Sequence, residues 1–311
     1  MLPIESILSQ LRETNKTRVI LQAPEGLLRT ARAMLPTLID AGYDITLSGD
    51  PCYGACDLVP HLDDDVVLVH LGHAPVDQTP NVIYEICSLD FDPTVILSVI
   101  PLLTTKRIGL VTTVQHVHML ASVQKLLAKE GYQTVIGSPT PRTPYAGQVL
   151  GCSFGGACTD ADEIVYIGTG VFHAIGVHLA TKARVLAFDP FMKTCEEINV
   201  RSFLKKRFSL IERAKNADQY GIIISTKPGQ KRIERAHDLL NLHYQAVPVW
   251  MREVRADQLL NMGFPCYVNT ACPRLAYDDQ PRFSVPVISP QEFEIVCGKR
   301  SWDDYAIDEI V

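Results

Sequence analysis

Short runs rich in Val and Ile recur along the chain, each bounded by glycine, proline or acidic residues, with longer amphipathic stretches between them. Residues 18–24 (RVILQAP) predict a buried strand. A helix through 27–41 and a second strand over 44–50 (DITLSGD) follow, and 63–74 (DDDVVLVHLGHA) supplies a third. The middle of the chain repeats the pattern: a strand over 107–113 (RIGLVTT), a helix through 117–130, then strands over 132–138, 162–174 (DEIVYIGTGVFHA) and 184–190. The last third gives a strand over 220–226 (YGIIIST), a helix through 232–242, and strands at 244–250 and around 266–268. Helices alternating with short apolar runs indicate βαβ units whose parallel sheets are covered on both faces. Crossovers in such units are right-handed.

The thirds resemble one another beyond this alternation. DDDVVLVHLGHA and DADEIVYIGTGVFHA both set an acidic turn before an apolar strand and end on His-Ala. Each third also carries a cysteine in the loop expected after its second strand: Cys56 in GDPCYGACD, Cys152 in GQVLGCSF and Cys272 in NTACPRL. A triplicated unit of about 100 residues explains both features. The predicted fold is therefore α/β, three homologous βαβ-type domains with parallel sheets arranged about a pseudo-threefold axis. Their expected bounds are 1–104, 105–216 and 217–311.

Composition narrows the classes of function. Of 311 residues, 47% are hydrophobic and 21% charged, which excludes a disordered or fibrous protein. A formal charge of −6 argues against charge-driven nucleic-acid binding. The N-terminal stretch MLPIESILSQLRETNK lacks a long apolar core and carries two glutamates, so no secretory signal is expected. The most apolar run, 94–103, is shorter than the ~20 residues a bilayer needs. The expected setting is the cytoplasm, without membrane contact, where thiols stay reduced.

Nine cysteines thus read as buried hydrophobes, nucleophiles or metal ligands. In parallel α/β units, ligands gather beyond the carboxyl ends of the strands. Three units packed about an axis can bring Cys56, Cys152 and Cys272 together, and three thiolates can hold three irons of a [4Fe–4S] cluster while the fourth stays open. A zinc site on Cys52 and Cys56 (CxxxC), or on Cys152 and Cys158, lacks a second pair. Cys87, Cys195, Cys266 and Cys297 sit in apolar or helical surroundings and read as small hydrophobes. A cysteine nucleophile paired with His73 or His173 has no fixed geometry. His70, His73 and His173 at strand ends suit structural roles as well as catalytic ones. The turn at Gly168-Thr-Gly170 carries half a dinucleotide fingerprint, and KPGQK (227–231) is not a P-loop; both predict tight turns with positive φ.

Six motifs then resemble one family. QAPEGL (22–27), SGDPCYGACD (48–57), HLGHAP (70–75), GQVLGC (147–152), YIGTGVFHAIG (166–176) and NTACPRLAYDD (269–279) are similar to archaeal diphthamide synthase, 2-(3-amino-3-carboxypropyl)histidine synthase. The resemblance runs from about residue 19 to 294, and the ordered trio YGAC, GQVLGC and ACPR is its specific part. It implies a homodimer whose subunits each hold one [4Fe–4S] cluster on Cys56, Cys152 and Cys272, with Cys52 and Cys158 as alternative ligands to be tested. It further implies S-adenosylmethionine as substrate, its Cγ–S bond broken by one electron. The resulting 3-amino-3-carboxypropyl radical would add to C2 of a histidine imidazole in translation elongation factor 2 and leave methylthioadenosine. A small redox protein would supply the electron. The choice of C–S bond would follow from how the sulfonium is posed.

Loop residues near the cysteines are the candidates for holding the substrate: Gln22, Glu25, Gly26, Gln148, Lys227, Arg274 and Asp278. For Arg274, a salt bridge to Asp278 or Asp279 competes with a substrate carboxylate. Rival readings are another three-cysteine cluster enzyme of triplicated architecture, such as quinolinate synthase or the isoprenoid diphosphate reductase, and a non-catalytic scaffold that binds a translation factor. The reductase expectation includes a cysteine near the N-terminus, whereas the first cysteine here is Cys52.

Overall fold

The computed structural model describes residues 4–60 and 62–310, so residues 1–3 of the N-terminal stretch and residue 311 of the third segment lie outside it. The chain is α/β, built on three mostly parallel sheets. The first contains β1 (Arg18–Gln22), β2 (Asp44–Leu47), β3 (Val66–Leu71) and β4 (Val82–Glu85) in the order β2-β1-β3-β4, all parallel. The second contains β5 (Arg107–Thr112), β6 (Gln133–Val135), β7 (Glu163–Ile167), β8 (Arg184–Asp189) and β9 (Thr194–Glu197) in the order β6-β5-β7-β8-β9, with β9 antiparallel to β8. The third contains β10 (Tyr220–Ser225), β11 (Ala246–Met251), β12 (Cys266–Asn269) and β13 (Val287–Ile288) in the order β11-β10-β12-β13, again all parallel.

Burial separates central strands from edges. Every residue of β3, β7, β10 and β12 is buried, as continuous apolar runs covered on both faces require. The edge strands β2, β6 and β11 have exposed or partly exposed positions. Helices α1 (Ile4–Glu13) and α2 (Leu28–Asp40) cover the first sheet, burying Ile7, Leu8, Leu11, Ala31, Met34 and Leu38 in one apolar cluster with Val67 and Val69. Helix α3 (Leu120–Lys129) and α4 (Phe172–Thr181) cover the second. The rest are α5 (Arg201–Ala214), α6 (Ile233–Leu240), α7 (Ala256–Met262), α8 (Pro273–Tyr277) and α9 (Pro290–Val296). Helix α9 starts at a Ser289/Glu292 capping box with Pro290 in its first turn, which fixes its register on the third sheet.

The strand order has one functional consequence. The chain leaves β1 for β2 on one side and returns to β3 on the other, so the connections diverge beyond the carboxyl ends of β1 and β3. β5 with β7, and β10 with β12, repeat this arrangement. Such switch points leave a crevice where ligands bind.

Several expectations need correction. Cys56 and Cys152 follow β2 and β6, but Cys272 follows β12, the third strand of its sheet rather than the second. The two His-Ala endings also differ: His73 lies in the loop beyond β3, while His173 lies in the first turn of α4. The apolar run over 94–103, given no element from sequence, lies mostly in a 3-10 helix, Pro93–Leu102, started by the Asp92 carboxylate accepting from the Thr94 amide at 2.9 Å. Strands β4, β9 and β13 were not expected; they are short edge strands without sustained alternation. No helix among the described residues is long and apolar enough to cross a membrane.

Candidate functional site

The Cys56 loop is held by residues from two sheets. Gln22, at the end of β1, donates through Nε2 to the Asp57 carbonyl at 2.6 Å. The Asp57 carboxylate accepts from the Tyr53 amide at 2.7 Å and pairs with Lys227, which lies just beyond β10. Lys227 also meets Glu253 at 2.8 Å. Gly229 packs directly on the loop: a Cβ there would lie 3.1 Å from Cys56 Cβ and 3.0 Å from Val76 Cγ2. This corrects the positive-φ expectation for KPGQK, because Gly229 is required by close approach and does not adopt positive φ, whereas Gly170 does, at +72°.

Cys152 sits in a tight turn. Leu150 and Ser153 exchange backbone hydrogen bonds across it, and Val149 donates to the Thr112 carbonyl at the end of β5. The C-terminal segment straps this turn: Ile310 donates to the Cys152 carbonyl at 2.7 Å, and Glu309 Oε2 accepts from the Phe154 amide at 2.8 Å. Cys272 is the N-cap of α8, with Pro273 in the first turn. Its carbonyl accepts from Asn269 Nδ2 at 2.8 Å. Arg232 binds the Thr270 and Ala271 carbonyls and pairs with Asp308 at 2.7 Å, tying the Cys272 loop to the same C-terminal strap.

The three thiols lie within electrostatic reach of one another. Loss of solvent pushes Cys272 up to about 12, with Cys152 and Cys56 adding to the rise. Cys56 is pushed up to about 11, first by burial and then by Asp57, with a further contribution from Cys152. Cys152 is raised by burial and lowered in part by Arg142. Each sulfur also faces an N–H donor: Gln230 Nε2 lies 2.9 Å from Cys56 Sγ, Arg142 Nη2 lies 3.8 Å from Cys152 Sγ, and the Arg274 backbone amide serves Cys272. Three converging, half-buried thiols with donors aimed at their sulfurs suit a thiolate-ligated metal cluster, which removes their protons and neutralises their repulsion.

The remaining candidates divide by what their side chains already do. Gln22 is buried and used at both ends, since its Oε1 accepts from His70 Nδ1 at 2.9 Å. Lys227 is buried between Asp57 and Glu253. Arg274 and Asp278 form an (i, i+4) ion pair at 2.8 Å, with the guanidinium over the Phe172 ring. Arg274 also runs past Gly151, beside Cys152, where a Cβ would meet its Cδ at 3.0 Å. Glu25 and Gly26 are exposed on a 3-10 turn. Gln148 is wholly buried, and its Nε2 has no partner among the described residues.

The histidines form a fixed chain. Gln22 Nε2 is committed to Asp57, so Oε1 faces His70 Nδ1, which donates; His70 Nε2 then accepts from His73 Nδ1 at 3.0 Å. Burial holds both rings neutral, at about 3 for His70 and about 4 for His73. Their ring nitrogens and Cys52 Sγ lie within 4.8 Å of one another. His173 is also held down, to about 4, by burial and by Arg274. It stacks on Tyr166 beside a cavity of about 240 Å³ that is also lined by His116, Thr169 and Phe191. Cys266 is fully buried, while Cys87, Cys195 and Cys297 pack partly buried against apolar clusters and Cys158 is exposed.

Sequence reasoning missed Gln230, Arg142, Arg232, Asp308 and Glu309. Gln230 stood inside KPGQK, a motif already singled out. Arg232, Asp308 and Glu309 carry no local signal, because their partners lie far along the chain, and Arg142, ten residues before Cys152, stands in no motif.

Comparison with known proteins bears on the family and the fold. Residues 23–307 match the family described as "Putative diphthamide synthesis protein". The 2-(3-amino-3-carboxypropyl)histidine synthase of Pyrococcus horikoshii is 33% identical over all of this chain and 94% of its own length. Subunit 1 of the human 2-(3-amino-3-carboxypropyl)histidine synthase is 28% identical over 96% of this chain and 72% of its own length. The crystal structure of Dph2 from Pyrococcus horikoshii with a 4Fe-4S cluster superposes with a TM-score of 0.92, at 31% identity, over 100% of this chain and 94% of that one. With the motif, the fold and the full-length match in agreement, this chain belongs to the diphthamide synthesis protein family.

Proposed function

We propose that the chain is a 2-(3-amino-3-carboxypropyl)histidine synthase. In this reading it transfers the 3-amino-3-carboxypropyl group of S-adenosylmethionine to C2 of a histidine imidazole on translation elongation factor 2, the first step of diphthamide biosynthesis. The observation that carries the reading is the convergence of Cys56, Cys152 and Cys272 from loops of three different sheets. These three cysteines are the proposed ligands of a [4Fe–4S] cluster. When bound, the cluster supplies a low-potential electron and one open iron for the sulfonium substrate.

The chain's own residues then pose the substrate and exclude water. Gln148 is the first proposed substrate contact, because its buried Nε2 lacks a protein partner and a carboxylate or ribose oxygen would satisfy it. Arg274 and Asp278 form the more exposed rim, where the guanidinium can exchange Asp278 for a substrate carboxylate. Glu25 and Gly26 offer a carboxylate and an open backbone at the mouth of the first switch point. Gln22 and Lys227 act by positioning the Cys56 loop. The neutral His70–His73 pair holds Gln22 in place through His70 Nδ1. Proposed with this reading are a cytoplasmic location, a homodimer and a small redox protein as electron donor; the nine unpaired cysteines support a reducing compartment.

The test is anaerobic incubation of the cluster-loaded protein with dithionite, S-adenosylmethionine and archaeal elongation factor 2, read by chromatography and peptide mass. Methylthioadenosine and a 3-amino-3-carboxypropyl group on one histidine are expected. Absence of both products with a fully loaded cluster would refute the reading.

A further inference from the structure

The hydrogen bond to Cys56 belongs to a directed chain. The Lys227 backbone amide donates to Ser225 Oγ at 3.1 Å, and the Ser225 hydroxyl therefore turns its proton to Gln230 Oε1 at 3.4 Å. With Oε1 occupied, the amide of Gln230 can present only Nε2–H to Cys56 Sγ, at 2.9 Å. Ser225, Lys227 and Gln230 are buried, so the two bonds that aim the amide are shielded from water, while the contact with the half-buried Cys56 is partly shielded. Ser225 is the last residue of β10, which places the origin of the chain on a rigid central strand. Gly229 eases the approach, since a Cβ there would crowd Val76 Cγ2 at 3.0 Å and Cys56 Cβ at 3.1 Å. Arg142 adds a second donor to the same corner, its Nη2 reaching the Gly229 carbonyl at 3.0 Å and Cys152 Sγ at 3.8 Å.

We infer that Gln230, aimed by Ser225, is a positioning residue that sets the reduction potential of the metal centre held by Cys56. This inference rests on the cluster-ligand reading above. Reduction adds one electron, part of whose charge resides on the thiolate sulfurs. An N–H donor at the sulfur stabilises that added charge and raises the potential, as hydrogen bonds to cluster sulfurs do generally. Gln230 thus makes the electron easier to load, and its removal makes the centre harder to reduce.

The experiment is an anaerobic redox titration of the cluster-loaded protein with dithionite, followed by electron paramagnetic resonance, with iron and sulfide measured on the same samples. At the wild-type midpoint, Gln230→Leu is expected to lower the ratio of reduced to oxidised cluster roughly tenfold, equal to about 59 mV for a one-electron couple. Ser225→Ala, which frees the amide to rotate but leaves Gln230 in place, is expected to shift the ratio the same way by a smaller factor. Arg252→Met removes a hydrogen bond to the Leu58 carbonyl in the same loop without touching a sulfur, and the ratio is expected to stay unchanged. Full iron and sulfide in both Gln230→Leu and Ser225→Ala with an unaltered midpoint would overturn the inference. Should Gln230→Leu fail to load, Ser225→Ala alone decides by the same criterion. Failure of the ligand reading has a different signature: Cys56→Ala would keep its iron and sulfide.

Discussion

Two buried ion pairs in this protein do different work. Beneath the third sheet, Arg207 of α5 meets Glu292 of α9, with Nε on Oε1 at 2.7 Å and Nη2 on Oε2 at 2.5 Å. Every nitrogen and oxygen of the pair has a partner: Arg207 also donates to the Ala276 and Val287 carbonyls, and Glu292 accepts from the Tyr305 hydroxyl and the Ser289 amide. At the cysteine corner, Lys227 meets Asp57 across two sheets, and the surroundings are not closed in this way. Gln148 Nε2 and Arg142 Nε are buried there without partners among the described residues. A buried pair with every group satisfied holds a fold in one arrangement, whereas unpaired buried donors beside converging thiols mark a place where something else binds.

Breaking the closed pair should cost the most stability. Arg207→Met strands a carboxylate that is 0% exposed and is expected to lower the unfolding free energy by about 3–5 kcal/mol, measured by urea denaturation. Iron and sulfide per folded chain should not change. A loss of cluster from this variant would erase the distinction between the regions.

Acid should act on the site and leave the closed pair alone. His70, His73 and His173 titrate at about 3, 4 and 4 in the folded chain, against 6.5 for an unperturbed ring. Below pH 6.5 the unfolded chain takes up protons that the folded chain refuses, so stability falls as pH drops from 7 towards 4. The expected loss by pH 5 is roughly 5–6 kcal/mol in total. Urea midpoints at the two pH values check this. A flat profile would mean that these rings are not held neutral.

Lys227→Met sharpens the contrast because it touches both stability and site. Asp57 is left unpaired in a water-poor loop while Glu253, one-third exposed, can turn to solvent, so a loss of about 2–3 kcal/mol is expected. Unlike Arg207→Met, it should also reduce iron content, since Asp57 orders the Cys56 loop. The smallest effect is assigned to Gln148→Met. Removing this buried amide, whose Oε1 accepts one 3.3 Å bond from the Tyr145 amide and whose Nε2 has no partner among the described residues, should cost about 1 kcal/mol, yet weaken S-adenosylmethionine binding severalfold by calorimetry. A stability loss with unchanged binding would make Gln148 structural.

How much of this was legible in the sequence follows from how local each signal is. Strands β3, β7 and β10 are largely apolar runs, so the three-sheet α/β class could be read directly, and turn residues beside Cys56, Cys152 and Cys272 singled these cysteines out as candidates. The position of Cys272 after β12 was misread, because the half-exposed β11 and the short β12 carry similar apolar weight in sequence. His173 was placed at a strand end because Gly168 and Gly170 hide the start of α4. The clamps on the cysteines were invisible. Gln230 meets Cys56 across 174 residues and Arg232 meets Asp308 across 76, distances over which periodicity carries no information.

The central claim is that one thiolate from each sheet holds the cluster, and Cys52, buried four residues before Cys56, is its nearest competitor. The direct measurement is iron and acid-labile sulfide per chain in anaerobically loaded Cys52→Ala, Cys56→Ala, Cys152→Ala, Cys158→Ala and Cys272→Ala proteins. Severalfold loss in the Cys56, Cys152 and Cys272 variants, with wild-type content in the other two, is the expected result. Retention of iron and sulfide in Cys56→Ala together with their loss in Cys52→Ala would contradict it.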